Sequence, residues 1–288
     1  MENLKQLREL MAQHSLDGLA VVPGPNMTHI TKSKFHLSER PVVFFILQNE
    51  ATFILPELES PKILDLDVNF ITYDDEEGPR PAFEKFANTN NISKLGVESR
   101  TIRHLELDLM NSTGIVSNIV DSIDIFAKLR MSKSHKEIDN MIEAVKIAET
   151  SLKSILGNIR PGVTEKQFAA DLVIELLRNG SDSELPFSPI VASGTNAANP
   201  HHFPGNKKFQ DGELIIIDWG ANFEGYFSDI TRTFALGDSI NSELLTAYET
   251  VRQANKSARI KAKIGVQAGD VDQAARKVIE TSGFGKFF

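Results

Sequence analysis

Two β-rich runs, one ending in Ile217-Asp218-Trp219-Gly220 and the other beginning Ser228-Asp229-Ile230-Thr231, flank a turn at Asn222–Gly225. That arrangement predicts an antiparallel hairpin, and it constrains the fold more than any other stretch. A turn centred on the Phe223–Glu224 bond sets Asp218 directly opposite Asp229. Directly opposed side chains in such a pair have Cβ atoms about 5 Å apart. Two carboxylates so placed repel each other, and Asp218 follows the apolar run Leu214-Ile215-Ile216-Ile217. Something must compensate. Either one carboxyl is protonated, as in a shared-proton dyad, or a cation sits between them. A pair of divalent ions about 3.5–4 Å apart would turn the repulsion into binding energy. A single Asp at a strand end ordinarily caps a turn or faces solvent; two on one face at one level favour the acid–base or metal reading.

A second candidate lies just upstream. The loop Asn196-Ala197-Ala198-Asn199-Pro200-His201-His202-Phe203-Pro204-Gly205 falls between a predicted strand and the hairpin, and is expected to overhang the two aspartates. A histidine so placed can act as a general acid, an electrostatic stabiliser or a ligand; the plain alternative is two exposed loop histidines. His14, His29, His36, His104 and His135 show no ligand spacing, and Arg232 suits an ion pair near the hairpin.

Around this hairpin the chain reads as α/β (α+β) in two parts, residues 1–128 and residues 129–288. In the first, Leu4, Leu7, Leu10 and Met11 recur at helical spacing. Leu19–Val22 is a predicted strand, and Val42–Leu47 with Thr52–Leu55 a predicted hairpin. Asp74–Pro81 is an acidic loop. Lys94–Glu98, Ile115–Ile119 and Ser122–Ile125 read as further strands or short helices, and nothing in this part has a catalytic pattern.

The second part opens with an amphipathic helix over Ser134–Ile159, broken at Pro161-Gly162. Thr164 and Gln167 form a capping box for a following helix that Gly180 closes, and Phe187–Ala192 is a predicted strand. Beyond the hairpin the order recurs: a helix over Ser242–Ile264, a break, a helix capped by Asp270 with Gln273, and Gly283 as its stop. Two related halves are expected, each a helix pair followed by strands. The final Gly285-Lys286-Phe287-Phe288 reads as the opening of a strand, so the sequence is expected to be cut short.

Composition narrows the function classes. The 288 residues carry no cysteine, which removes a disulfide scaffold, a thiolate zinc site and a thiol nucleophile. A net charge of −8 without a basic block is a poor match for nucleic acid. The longest apolar run, Val42–Leu47, is far short of the roughly 20 residues a bilayer-spanning helix needs. No signal-like apolar segment opens the chain, so a cytoplasmic location is the default expectation.

The residues of the hairpin resemble, nearly position by position, the metallopeptidase family of Xaa-Pro dipeptidase (prolidase), Xaa-Pro aminopeptidase, methionine aminopeptidase and creatinase. Those that carry the resemblance are Ile217-Asp218-Trp219-Gly220-Ala221, Gly225-Tyr226 and Ser228-Asp229-Ile230-Thr231-Arg232-Thr233. Pro200-His201 and Ile190-Val191-Ala192-Ser193-Gly194 match the family's preceding loop and strand, and Leu129-Arg130 through Glu137-Ile138 its domain junction. Pro25-Asn26 and Glu39-Arg40 are similar to a creatinase-like N-terminal domain, which favours the Xaa-Pro branch. The resemblance implies a pita-bread catalytic domain, here incomplete at its C-terminal end. It also implies two divalent metal ions, Mn²⁺ or Co²⁺ on an oxygen-rich donor set. Asp218 and Asp229 are the implied metal ligands and His201 the implied catalytic residue facing the substrate. Proline-containing dipeptides or peptides are the implied substrates, and a homodimer the implied assembly. The family's remaining His and two Glu ligands lie beyond a segment like Phe287-Phe288, so this chain alone is expected to bind the metals weakly or not at all and to be inactive. A peptidase-like binding module and a creatinase-type hydrolase are the competing readings.

Overall fold

The computed structural model describes residues 2–288. The chain divides into two compact units, one ending at His135 and the other running from Lys136 to Phe288.

In the first unit the elements follow in the order α1 (Glu2–Gln13), β1 (Gly18–Val21), α2 (Pro25–Thr31), β2 (Val43–Leu47), β3 (Ala51–Pro56), β4 (Asn69–Tyr73), α3 (Arg80–Thr89), β5 (Ile92–Val97), α4 (His104–Ser112), β6 (Val116–Asp121) and α5 (Ile123–Met131). The strands make one sheet in the order β4-β3-β2-β1-β5-β6. β1, β2 and β3 pair antiparallel, whereas β4, β5 and β6 add in parallel. Helices cover both faces, which is why the central strands are apolar runs rather than alternating ones. Successive side chains of β2 go to opposite layers. Phe44 stacks on Phe53 at 4.1 Å among Leu7 and Met11 of α1 and Phe126 of α5. Phe45 stacks on Phe86 at 4.3 Å beside Phe83 of α3 and Met110 of α4. The predicted hairpin of Val42–Leu47 and Thr52–Leu55 is therefore the middle of a sheet with two cores.

The second unit contains α6 (His135–Ile155), α7 (Glu165–Arg178), β7 (Ile190–Ser193), β8 (Glu213–Trp219), β9 (Asn222–Phe223), β10 (Tyr226–Phe227), β11 (Ile230–Leu236), α8 (Ser242–Lys261) and α9 (Ala268–Thr281). Strands β11, β8 and β7 form an antiparallel sheet in that order. Along β8, Ile215, Ile217 and Trp219 are buried against Ile147 and Leu152 of α6 and Phe168, Leu172 and Leu176 of α7. The indole Nε1 of Trp219 donates to the Ala148 carbonyl at 2.9 Å, which fixes the ring beneath the strand. Because side chains alternate along a strand, Leu214, Ile216 and Asp218 share the other face.

Thr164 caps α7 as expected, its hydroxyl accepting from the Gln167 amide at 3.1 Å. The helix pair recurs with 21 and 14 residues in α6 and α7 and 20 and 14 in α8 and α9. Two expectations fail. Asp270 does not cap α9: the helix starts at Ala268, its N-cap is Gln267, and Asp270 sits inside the first turn, where it faces the helix dipole favourably without bonding an end amide. The terminal Gly285–Phe287 is a 3₁₀ turn packed on α9, not a strand: the Phe287 amide donates back to the Phe284 carbonyl at 2.9 Å. No described helix is long and apolar enough to cross a membrane.

Candidate metal centre

The hairpin forms, but its register differs from the expected one. Asp218 lies opposite Thr231, and the pairing continues through Trp219 with Ile230 to Asn222 with Phe227 and Phe223 with Tyr226. The turn is centred on the Glu224–Gly225 bond, one residue later than expected. Both residues adopt positive φ, 53° and 79°, as a two-residue type I′ turn demands. Moving the turn centre by one residue shifts the pairing by two. A shift of two keeps every side chain on its face, so Asp229 is the diagonal neighbour of Asp218 rather than its direct partner.

The two carboxylates nonetheless meet. Burial pushes the Asp218 carboxyl above the ordinary carboxylate range; the Thr231 hydroxyl opposes this, and the nearby Asp229 charge adds to it. Asp218 Oδ1 is buried with no hydrogen-bond partner, whereas Asp229 is exposed. A buried carboxylate oxygen left without a donor is costly, and a second negative charge beside it makes the site worse until a cation arrives. Two oxygen-rich side chains suit a hard or borderline divalent ion. Among the described residues no group of three or more His, Cys, Asp or Glu side chains converges as a metal site. Further donors must therefore come from water, substrate or additional protein.

Packing sets this geometry. Glycine at 220 is required, since a Cβ there would sit 1.9 Å from the Ser228 carbonyl oxygen and 2.7 Å from Pro186. Ser228 staples the strands: its amide donates to the Ala221 carbonyl at 3.0 Å, its hydroxyl accepts from the Ala221 amide at 2.9 Å, and that hydroxyl donates to the Ala144 carbonyl of α6 at 3.0 Å. At the tip, the Tyr226 hydroxyl reaches Glu137 Oε1 at 3.0 Å, and burial with that bond pushes the phenol up to about 12. Arg232 pairs with Glu149 of α6 at 3.6 Å, the ion pair expected of it.

His201 is brought to the surface on a loop that leaves the sheet at Ser193, level with Ile215. That point is about 10 Å along β8 from Asp218, at roughly 3.3 Å per residue. In the turn Asn199–His202, the His202 amide donates to the Asn199 carbonyl at 3.2 Å and the His201 amide to Asn199 Oδ1 at 3.0 Å. The neighbouring His202 turns inward and places Nε2 2.8 Å from Glu165 Oε2. Glu165 is the polar residue that the sequence did not single out. Its side chain is wholly buried, and it also accepts from the Ser193 amide and hydroxyl at 2.8 Å each, from Asn196 Nδ2 and from the Gly205 amide. Burial alone would push this carboxyl up, but the donors, His202 first, hold it below the usual carboxylate range. In the sequence it is an ordinary acidic residue in a helix's first turn; only the donor-rich segment Ser193–Gly205 hinted at a use for it.

Comparison with known proteins gives the arrangement its family. Residues 3–132 match the creatinase/prolidase N-terminal domain, and residues 139–288 match metallopeptidase family M24. A putative dipeptidase of Bacillus subtilis is 32% identical over 268 residues, spanning 91% of this chain and 73% of that protein. An Xaa-Pro dipeptidase of Pyrococcus horikoshii is 29% identical across 100% of this chain and 79% of its own length. The crystal structure of a dipeptidase from Pyrococcus horikoshii superposes with a TM-score of 0.91 at 33% identity, covering 99% of this chain and 80% of that one. The architecture is thus a creatinase-type N-terminal domain with a pita-bread catalytic domain. The aspartate-bearing hairpin, its helical support and the loop beside it all fall within the M24 match, and the chain belongs to metallopeptidase family M24.

Proposed function

We propose that the chain is a proline-directed peptidase that hydrolyses the Xaa-Pro bond of dipeptides or short peptides, with Asp218 and Asp229 as ligands of two divalent cations and His201 facing the substrate. The observation that carries this reading is the buried, partnerless Asp218 Oδ1 beside a second carboxylate. It is supported by a relative named as an Xaa-Pro dipeptidase that aligns along the whole chain.

Divalent ions bound there would polarise the scissile carbonyl and lower the pKa of a water to near neutrality. The residues of this chain supply the rest. Asp218 and Asp229 set the negative potential that holds the cations, and the apolar packing of β8 excludes water from one side of Asp218, which strengthens that attraction. His201, exposed on its turn, would donate to the substrate oxygen as negative charge develops on it. The all-oxygen donors of this chain suit Mn²⁺ or Co²⁺. On the family resemblance alone, the assembly is a homodimer.

Mn²⁺ titration by calorimetry, followed by assays on Ala-Pro and Ala-Ala dipeptides, tests the reading in a chain extended to the full length of its relatives, of which these residues span 79% in the Pyrococcus horikoshii Xaa-Pro dipeptidase, so that the further donors the two aspartates need are present. Saturable binding that is lost in Asp218→Asn, with cleavage confined to Ala-Pro, is expected. Binding of Mn²⁺ without any cleavage of Ala-Pro would instead mark a peptidase-like binding module, and equal cleavage of Ala-Ala would end the claim of proline specificity.

A further inference from the structure

We infer that Glu165 is a positioning residue that sets the conformation of the His201 loop, acting through His202; the inference rests on the role proposed for His201. Glu165 occupies the first position of α7, directly after the Thr164 cap. Its carboxylate gathers donors from both ends and the middle of one loop. Oε1 takes the Ser193 amide and hydroxyl, where the loop leaves β7. Asn196 Nδ2 lies 3.0 Å from Oε1 and 3.2 Å from Oε2. Oε2 takes His202 at 2.8 Å and the Gly205 amide at 3.3 Å, where the loop returns. The helix backbone completes the clasp, with the Glu165 amide donating to the Lys207 carbonyl and the Lys166 amide to the Gly205 carbonyl, each at 3.0 Å. Lys207 Nζ bridges the same Ser193 hydroxyl at 2.8 Å to Glu213 of β8 at 2.7 Å.

A fold needs its loops closed, but it does not need a buried charge to close them. An ionised carboxylate in a wholly buried position is stabilising only when its hydrogen bonds are complete. Here the donors are distributed over a loop whose only inward-facing histidine is the neighbour of His201. Within the Asn199–His202 turn, drawing His202 onto Glu165 directs the adjacent His201 ring outward. Glu165 thereby converts one fixed point on a rigid helix into a fixed orientation for a residue that makes no contact with it. A site held on the sheet and helices is more accurate than one held on a free loop.

Glu165→Gln keeps the shape and replaces one acceptor oxygen by a donor that faces other donors. Amide hydrogen exchange of Asn196–Gly205 is expected to speed up by more than tenfold, with β8 and β11 unchanged, and Mn²⁺ affinity is expected to stay within twofold of the parent. On Ala-Pro, in the same extended chain, kcat per folded molecule is expected to fall tenfold or more while KM stays within threefold; loss of stability would lower apparent kcat only in proportion to the folded fraction, which circular dichroism measures in the same sample. His202→Gln removes a single donor and serves where the Glu165 variant fails to fold; it is expected to show the same pattern, reduced. Parent-like loop exchange, or parent-like kcat, in a folded variant overturns the inference. A parent chain extended to its relatives' length that binds Mn²⁺ but does not cleave Ala-Pro refutes the peptidase reading, and loop exchange in the two variants then still decides whether Glu165 orders the loop.

Discussion

Replacing Gly220 by alanine forces apart the two strands that carry the aspartates. The new Cβ would lie 1.9 Å from the Ser228 carbonyl oxygen, where side-chain contacts below 3.0 Å are essentially never found, so the backbones must separate by at least about 1.1 Å. Overpacking of this kind costs about 1–3 kcal/mol. The separation also breaks the two Ser228–Ala221 bonds, at 3.0 and 2.9 Å, each contributing about 0.5–1.5 kcal/mol. A loss of about 2–6 kcal/mol follows, which for a unit of this size lowers Tm by about 4–24 °C. The site suffers separately. Asp229 lies opposite Gly220, so it moves relative to Asp218 by a distance well beyond the roughly 0.2 Å tolerance of metal–ligand bonds. Mn²⁺ affinity should fall by at least tenfold. Scanning calorimetry reads the first effect and titration calorimetry the second. Gly157→Ala is the matched control: that glycine has open space around it, and alanine there should be neutral or stabilising by up to about 1 kcal/mol. A Gly220→Ala protein with Tm within 2 °C of the parent, or with parent-like Mn²⁺ affinity, would refute the claim that close backbone approach at 220 sets the site.

Asp229→Asn should weaken Mn²⁺ binding by more than about tenfold, since even outer partners of metal ligands contribute about that much; calorimetric affinity equal to the parent's would remove Asp229 from the site. Glu165 should confer pH-dependent stability. Its folded pKa is depressed, so its contribution is complete above the unfolded value of about 4.3 and lost as pH falls through the folded value. The Tm gap between parent and Glu165→Gln should therefore be widest near neutrality and close under acid; a gap that is constant with pH would contradict this. Tyr226→Phe deletes the 3.0 Å bond to Glu137 and should cost about 0.5–1.5 kcal/mol by urea unfolding. Trp219 is the sole tryptophan, 1% exposed, so its emission should shift to the red only when the second unit unfolds; a shift during unfolding confined to the first unit would show that the two are not separate.

Much of this protein was legible before its structure. The apolar run Val42–Leu47 was legible as one strand of a hairpin with Thr52–Leu55, and the structure sets that hairpin in the middle of the first sheet, where both faces are covered and neither needs a polar side. Thr164 with Gln167 marked the start of α7, since the cap is a contact between residues three apart and needs nothing from the rest of the fold. Asp218 and Asp229 were legible as a pair because alternation preserves face even when the register is two residues out. The recurrent helix pair was visible in its spacing, but the device read as its second cap was not real: Asp270 had the right identity and the wrong position.

What sequence determined here is local: which residues form strands and helices, where a cap can sit, which side chains share a face. Each depends on backbone sterics and on neighbours within a turn or two. Tertiary structure alone decided the pairing of Asp218 with Thr231, because the choice between two adjacent turn centres is made by the backbone conformations of Glu224 and Gly225 and the close contact at Gly220. It alone selected Glu165 over the other acidic residues of the chain, since a carboxylate's value depends on donors that arrive from Ser193, Asn196, His202 and Gly205 only once the loop has closed. Burial and long-range hydrogen bonding are properties of the assembled chain, and no local pattern encodes them.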